Sequence, residues 1–288
     1  MVERARGIYS FSHLTFQEYF TACKIAYISN PKALEIGLQQ LVTHVYEPRW
    51  REVFLLTTTL LDPADELLLA MKRAIDSLVK DQPKIREILA WANDKVKSVY
   101  SSQNIYKIRY FYLSLDLDLH FEIDRYFDFS QNIDSCIDID FYIDYDLALD
   151  LNLQEILRFL DLDFDLIYLA LRKTISLAKQ VNKNFSLFLQ KLLNLFPDEE
   201  EIDYWEQNYC QDCVESLTKS MIKYRNIGHD WCLTNNEENL LKEYIKGNEL
   251  LIDCLNSECY LSRDVREKIE NTLFLLPNNG SLLFEGEI

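Results

Sequence analysis

Apolar residues recur at three- and four-residue spacing along most of the chain, the period of one helical face. Phe16, Tyr19, Phe20, Cys23 and Tyr27 make the first such stripe, which Pro31 ends. Thr15-Phe16-Gln17-Glu18 reads as a capping box: the Thr15 hydroxyl can accept from the Glu18 amide while the Glu18 carboxylate reaches back to Thr15. A helix is therefore expected from Thr15, with its stripe turned to a core. Ile8-Tyr9-Ser10-Phe11 just before it reads as a short strand, and a domain that opens in mid-strand is expected to have lost upstream partners.

From 31 to 100 the punctuation predicts four antiparallel helices. Pro31 and Pro48 stand near helix starts, and Asp62-Pro63 reads as an N-cap followed by proline at the first helical position. Trp50, Val53, Phe54, Thr57, Leu60 and Leu61 give one packing face, and Leu67, Leu68, Met71, Ile75 and Leu78 the next.

Between 105 and 170 the pattern changes to alternation. Apolar residues take odd positions from Phe111 to Leu119 and from Ile137 to Leu153, with Asp at many even ones. Alternation is strand periodicity, yet strands average roughly five to six residues, and no Gly or Pro interrupts these runs. On a helix the same pattern gives two opposed apolar stripes with carboxylates at solvated seams. Helix is the preferred reading, and strand stays open. Thirteen Asp lie between 116 and 165, against only Arg125 and Arg158.

In the last third, Leu187, Leu189, Leu192, Leu193 and Phe196 end at Pro197, and Asp198 to Glu201 load the first turn of another helix. Thr234 with Glu237 is a second capping box, ahead of Leu240, Leu241, Tyr244 and Ile245. Ser262 is the expected cap of a helix bearing Val265, Ile269 and Leu273. The fold class is all-α: stacked helical hairpins in a bundle. Five parts are expected: 1–30, 31–104 as helical hairpins, the Asp-rich 105–183, a helical domain 184–276, and the tail 277–288.

Composition sharpens this picture. With 48% apolar residues in 288 the chain can bury a core, and six Gly and six Pro leave little turn chemistry for hairpin strands. A formal charge of −17 repels phosphate backbones and anionic lipid except at a local basic patch, so neither nucleic acid nor membrane is an expected partner. No apolar run approaches the roughly 18 residues of a spanning helix, and residues 1–7 lack the core of a secretion signal; a cytoplasmic location is expected. Seven scattered Cys read as buried, reduced thiols.

Tyr9-Ser10-Phe11-Ser12-His13-Leu14-Thr15-Phe16-Gln17-Glu18-Tyr19-Phe20 closely resembles the end of the winged-helix domain in NACHT NTPases. Tyr224-Arg225-Asn226-Ile227-Gly228-His229-Asp230-Trp231 and the stretch from Leu251 to Arg266 look similar to the carboxyl-terminal helical domain of cyanobacterial NACHT proteins. The resemblance implies a winged-helix remnant at the start and a sensor and autoinhibitory helical region after it. It also implies that His13 senses bound nucleotide, that a NACHT nucleotide-binding domain is the partner in cis or in trans, and that an unidentified ligand or protein is the trigger. Bacterial members of the family are associated with defence against phage.

The departure from that family is chemical. Gly7, Gly37, Gly228, Gly247, Gly280 and Gly286 are the only glycines, and none belongs to a loop ending in Gly-Lys-Ser or Gly-Lys-Thr. Without that loop a triphosphate and its Mg²⁺ have no cradle. Hydrolysis by this chain alone is not expected, nor is a cofactor. A truncated gene remnant is an alternative expectation.

Two constellations hold other chemistry. Cys210 and Cys213 with His229 and Cys232 have a plausible zinc-ligand spacing, the basis of an alternative reading as a zinc-binding module or metal-dependent enzyme, set against buried thiols one helical turn apart. Arg225, His229 and Trp231 with Arg263 and Arg266 are a candidate basic and aromatic patch for an anionic ligand or partner, set against internal ion pairs with Asp253, Glu258 or Asp264. Asp161, Asp163 and Asp165 begin like a calcium loop, but Leu166 and Arg172 stand where Gly and Glu are needed. The run Asp138, Asp140, Asp144 and Asp146 has no nucleophile and base beside it, and reads as a solvated seam.

Overall fold

Helices account for nearly all of the described backbone. The computed structural model describes residues 2–5, 8–10, 14–99, 104–117, 145–159, 164–195 and 210–276. Two short strands, β1 (Val2–Ala5) and β2 (Ile8–Ser10), pair antiparallel with Val2 opposite Ser10. They precede α1 (Leu14–Ala26), α2 (Pro31–Val42), α3 (Arg51–Leu60), α4 (Asp65–Val79), α5 (Pro83–Ser98) and α6 (Ile105–Asp116). Then come α7 (Tyr145–Phe159), α8 (Phe164–Val181), α9 (Lys183–Leu193), α10 (Cys210–Arg225), α11 (Asn235–Asn256) and α12 (Arg263–Thr272). The fold is all-α, and the described parts of 105–170 are helical. The tail 277–288, the Asp198–Glu201 helix start and Asp138, Asp140, Asp144, Asp161 and Asp163 lie outside the described residues.

The chain divides into two compact units, Met1–Ala90 with Cys232–Ile288, and Trp91–Trp231. In the first, α4 packs on α11, α2 and α12, α11 also packs on α3, and α1 packs on α3 and α2. Leu67, Leu68, Met71 and Ile75 of α4 are fully buried, each worth about 1.5–3 kcal/mol of apolar transfer. Gly247 lets α11 approach: a Cβ there would lie 2.9 Å from Ile75 Cγ1 and 3.4 Å from Tyr46 Cε1. In the second unit α7 packs on α8, α8 on α9, and α10 on both α7 and α9. Phe111, Tyr112, Leu149, Leu153 and Phe185 are fully buried there.

Three local expectations are corrected. First, α1 begins at Leu14, so Thr15 is already inside the helix, and the aromatic stripe does not face the core. Ala22 is the buried residue of α1, while Phe16, Tyr19, Phe20 and Tyr27 are 52%, 43%, 55% and 67% exposed. The small side chain permits close packing on α3, and the aromatic side turns outward. Second, α4 starts at Asp65, after Asp62-Pro63, with Ala64 at the cap position. Long-range bonds hold that start: Ala64 N–H donates to Tyr260 O at 3.0 Å, and Asp65 accepts from the Ser262 amide at 2.9 Å. Third, the Ser262 hydroxyl does not cap α12 but donates to Asp65 at 2.6 Å. The Thr234–Glu237 capping box does form, at the start of α11. Of the five cysteines whose side chains are described, Cys213 and Cys254 are buried, Cys23 and Cys259 half-buried and Cys232 exposed.

Candidate functional site

The most densely bonded polar region of the second unit surrounds the end of α10. Asn226 and Gly228 take positive φ, 54° and 83°, so the helix ends sharply and the chain turns back. Glycine is the residue suited to the second of these positions. Side chains of α5 meet the last carbonyls of the helix: Lys95 Nζ donates to Arg225 O at 2.6 Å, and Trp91 Nε1 to Asn226 O at 2.9 Å.

The turn that follows is clasped by one carboxylate. Asp116, the last residue of α6, accepts from the Gly228 amide, from the His229 amide at 3.3 Å and from Trp231 Nε1 at 2.7 Å. Burial pushes the Asp116 carboxyl above its ordinary range, against the pull of those donors. His229 Nε2 bonds Asn226 Oδ1 at 2.8 Å, and the Trp91 ring stands edge-on to Trp231 at 5.6 Å and to His229 at 6.1 Å.

Behind the turn lies an ionic cluster. Arg225 donates to Asp150 through Nε at 2.6 Å and Nη2 at 2.9 Å, and pairs with Asp146 at 2.7 Å. Asp150 is fully buried and also accepts from the Tyr112 hydroxyl at 2.9 Å, with Lys95 Nζ at 3.5 Å. Burial pulls the Lys95 ammonium below its usual range, only partly offset by Asp150. Burial likewise works against the Arg225 charge, but Asp150 and Asp146 outweigh it and hold that guanidinium higher still. Burial and then the Asp150 charge push the Tyr112 hydroxyl up, so it stays a donor. Two cations and two carboxylates thus neutralise each other where water is excluded.

This geometry consumes the donors of the candidate patch. Arg225, His229 and Trp231 belong to the second unit and are engaged as described; Arg263 and Arg266 belong to the first. There Arg263 pairs with Glu267 at 2.7 Å, and Arg266 donates to Leu255 O at 2.8 Å and pairs with Glu270 at 3.4 Å. The carboxylates they meet include Asp150, Asp146, Asp116, Glu267 and Glu270. Of the run Asp138, Asp140, Asp144 and Asp146, the last is described: it is partly exposed and pairs with Arg225 at 2.7 Å.

His13 lies outside the described residues, as does the Cys210 side chain. Cys213 is buried on α10 in the second unit, and Cys232 is exposed in the first. Among the described residues no three His, Cys, Asp or Glu side chains gather as metal ligands would. Likewise, no described helix is long and apolar enough to cross a membrane. The first unit contains an open cleft of about 730 Å³ between α2 and α4, with Leu34, Leu38, Leu61 and Leu69 inside and Lys32 and Glu66 at its rim.

With the turn and its supports in place, the comparison with known families is informative. Residues 183–277 match the family model of NACHT C-terminal Helical domain 2. That stretch is a NACHT-associated C-terminal helical region. It takes in α9 to α12 and the whole 224–231 turn, whose Arg225, Gly228, His229 and Trp231 the two clasps hold. The Tyr9–Phe20 segment lies outside it. No curated protein and no solved structure matches the chain.

The residues that hold this turn were not singled out in the sequence. Asp116, Asp150, Lys95 and Tyr112 carry no local signature. The one usable signal was that Arg225 follows an acid-rich segment nearly devoid of cations.

Proposed function

We propose that the chain is the non-catalytic sensor and autoregulatory helical region of a NACHT-type signalling NTPase, acting with a nucleotide-binding domain carried in cis or in trans. The observation that carries this reading is the NACHT-associated helical match over 183–277. Two others support it. The sequence has no glycine-rich phosphate loop, so nucleotide must be held by another domain. The β1–β2 hairpin runs into α1, whose exposed Leu14, Tyr19 and Tyr27 are 67%, 43% and 67% accessible and offer aromatic and apolar area to a partner. On this reading α1 contacts the winged-helix side of the nucleotide-binding domain. Trigger binding to the helical region then shifts the pair from a closed ADP state toward an assembly-competent ATP state, a two-state equilibrium biased by differential affinity. A role in defence against phage is implied by family resemblance alone.

The test mixes the purified chain with a separately expressed NACHT nucleotide-binding domain. The chain alone should neither turn over ATP nor bind it with magnesium, and the mixture should co-elute as a complex that Tyr19→Asp and Tyr27→Asp weaken. Tight magnesium-dependent ATP binding by the chain alone would overturn the reading.

A further inference from the structure

The α8–α9 hairpin of the second unit has a charge opposite to that of the chain. Residues 166–197 contain five cations and no carboxylate, within a protein of net charge −17. Asn182 is the sole link between the helices, and its side chain caps α9 by accepting from the Phe185 amide at 3.1 Å. The inward positions are apolar: Leu171, Ile175, Ala178, Phe185, Leu189 and Leu192 are buried.

The outward positions form two ordered stripes. Along α8, Tyr168, Arg172, Ser176 and Lys179 follow each other at three- and four-residue steps, all exposed. Along α9, Lys183, Leu187 and Lys191 do the same. Arg172 lies over the Tyr168 ring at 5.8 Å. Tyr168, Leu169 and Leu187 are 41%, 66% and 54% exposed, so apolar area is interleaved with the charges.

Several exposed cations elsewhere sit one turn from a carboxylate: Lys97 pairs with Asp94, Lys219 with Glu215, and Lys242 with Glu238. On the hairpin no such pairing occurs among the described residues, because no acid lies within a turn of any of its cations.

We propose that the α8–α9 hairpin is a docking surface for a short acidic protein segment that interleaves carboxylates with leucine or aromatic side chains. Charge complementarity and the exposed Leu169 and Leu187 select that chemistry together. Phosphate backbones offer nothing to the two leucines. A bilayer or a duplex carries many negative charges over a wide area, which a chain of net charge −17 repels at long range. A short segment engages only what lies within a screening length of roughly 8 Å at physiological salt, and no acid lies within a helical turn of the five hairpin cations. The apolar side chains then supply a centre and the cations a rim.

The experiment uses the full chain and labelled probes: an amphipathic peptide of Glu, Leu and Ala, a polyglutamate of equal charge, phosphatidylserine vesicles, and a duplex oligonucleotide. The Glu–Leu peptide should bind more tightly than the other three, and its binding should weaken on the order of tenfold in about 0.5 M salt. Arg172→Glu and Lys183→Glu should each abolish most of the binding, while Lys97→Glu leaves it unchanged. Lys183 opens α9, where a glutamate suits the helix dipole, so that variant should keep its helical circular dichroism. Absence of peptide binding, binding by the two hairpin variants as tight as that of the native chain, or preference for polyglutamate, vesicles or duplex would each overturn the proposal.

Discussion

Arg225 closes a two-point clamp on Asp150, with Nε and Nη2 at 2.6 and 2.9 Å from the two carboxylate oxygens, across 75 residues of sequence. Asp150 is fully buried and Arg225 nearly so, so neither charge has water as a substitute partner. Asp150→Ala should therefore leave Lys95 without its carboxylate and Arg225 with Asp146 alone, in a site where Lys95 and Arg225 are nearly buried. We expect a loss of about 3–5 kcal/mol in urea unfolding, the usual cost of breaking a buried pair from one side. Asp150→Ala combined with Arg225→Met should recover part of that loss, since the second change removes a charge that has lost one of its two carboxylates. A double variant as unstable as the sum of the singles would show that the clamp contributes no coupling.

Asp116 should behave differently, because its partners are neutral donors rather than cations. Asp116→Asn keeps the shape but replaces a carboxylate that accepts from Gly228, His229 and Trp231. We expect about 1.5–3 kcal/mol of destabilisation, the range for hydrogen bonds to a charged group. Faster amide exchange should be confined to Gly228 and His229. Uniform exchange across the unit would assign the effect to global stability instead.

What the sequence made legible was the set of elements whose causes are local. The Leu67, Leu68, Met71 and Ile75 stripe marked the buried face of α4, and the Thr234–Glu237 box marked the start of α11. Alternation in 105–170 was outweighed by length, and the described parts are helical. The failures arise where the cause is distant. The α1 stripe showed amphipathicity, but periodicity does not say whether the covering surface is in the same chain. Asp62 and Ser262 obey capping rules, yet the partner of Asp65 is Ser262, 197 residues away, and that contact sets both helix starts. Among thirteen Asp, nothing local distinguishes Asp116 and Asp150 as the two that hold the 224–231 turn.

Gly247 tests the packing of α4 on α11. A methyl group there would stand 2.9 Å from Ile75 Cγ1, below any ordinary contact, although α11 is a helix in which alanine is otherwise favoured. Gly247→Ala should then cost about 1–3 kcal/mol through overpacking rather than stabilise the helix. Ile75→Ala in the same chain should relieve that clash by removing both Cγ1 and Cδ1, so that Gly247→Ala costs less in the Ile75→Ala background than in the native chain. A Gly247→Ala variant with unchanged or raised thermal midpoint would show that the two helices separate at no cost.

Cys254 gives the pH prediction. Burial pushes its thiol up from the ordinary value near 9 to about 12, and the chain around it is fully closed. The folded state therefore favours the neutral thiol. That contribution is fully present below pH 9 and is lost as pH rises toward 12, since only the unfolded chain ionises freely in that window. Cys254→Ala should lower stability near neutral pH by removing a packed sulfur, yet show a shallower decline above pH 9 than the native chain. Urea midpoints of both proteins between pH 8 and 11 measure the difference, with tyrosine and lysine titration common to both. Parallel declines would mean that the thiol ionises as easily inside the fold as outside it, which its burial does not allow.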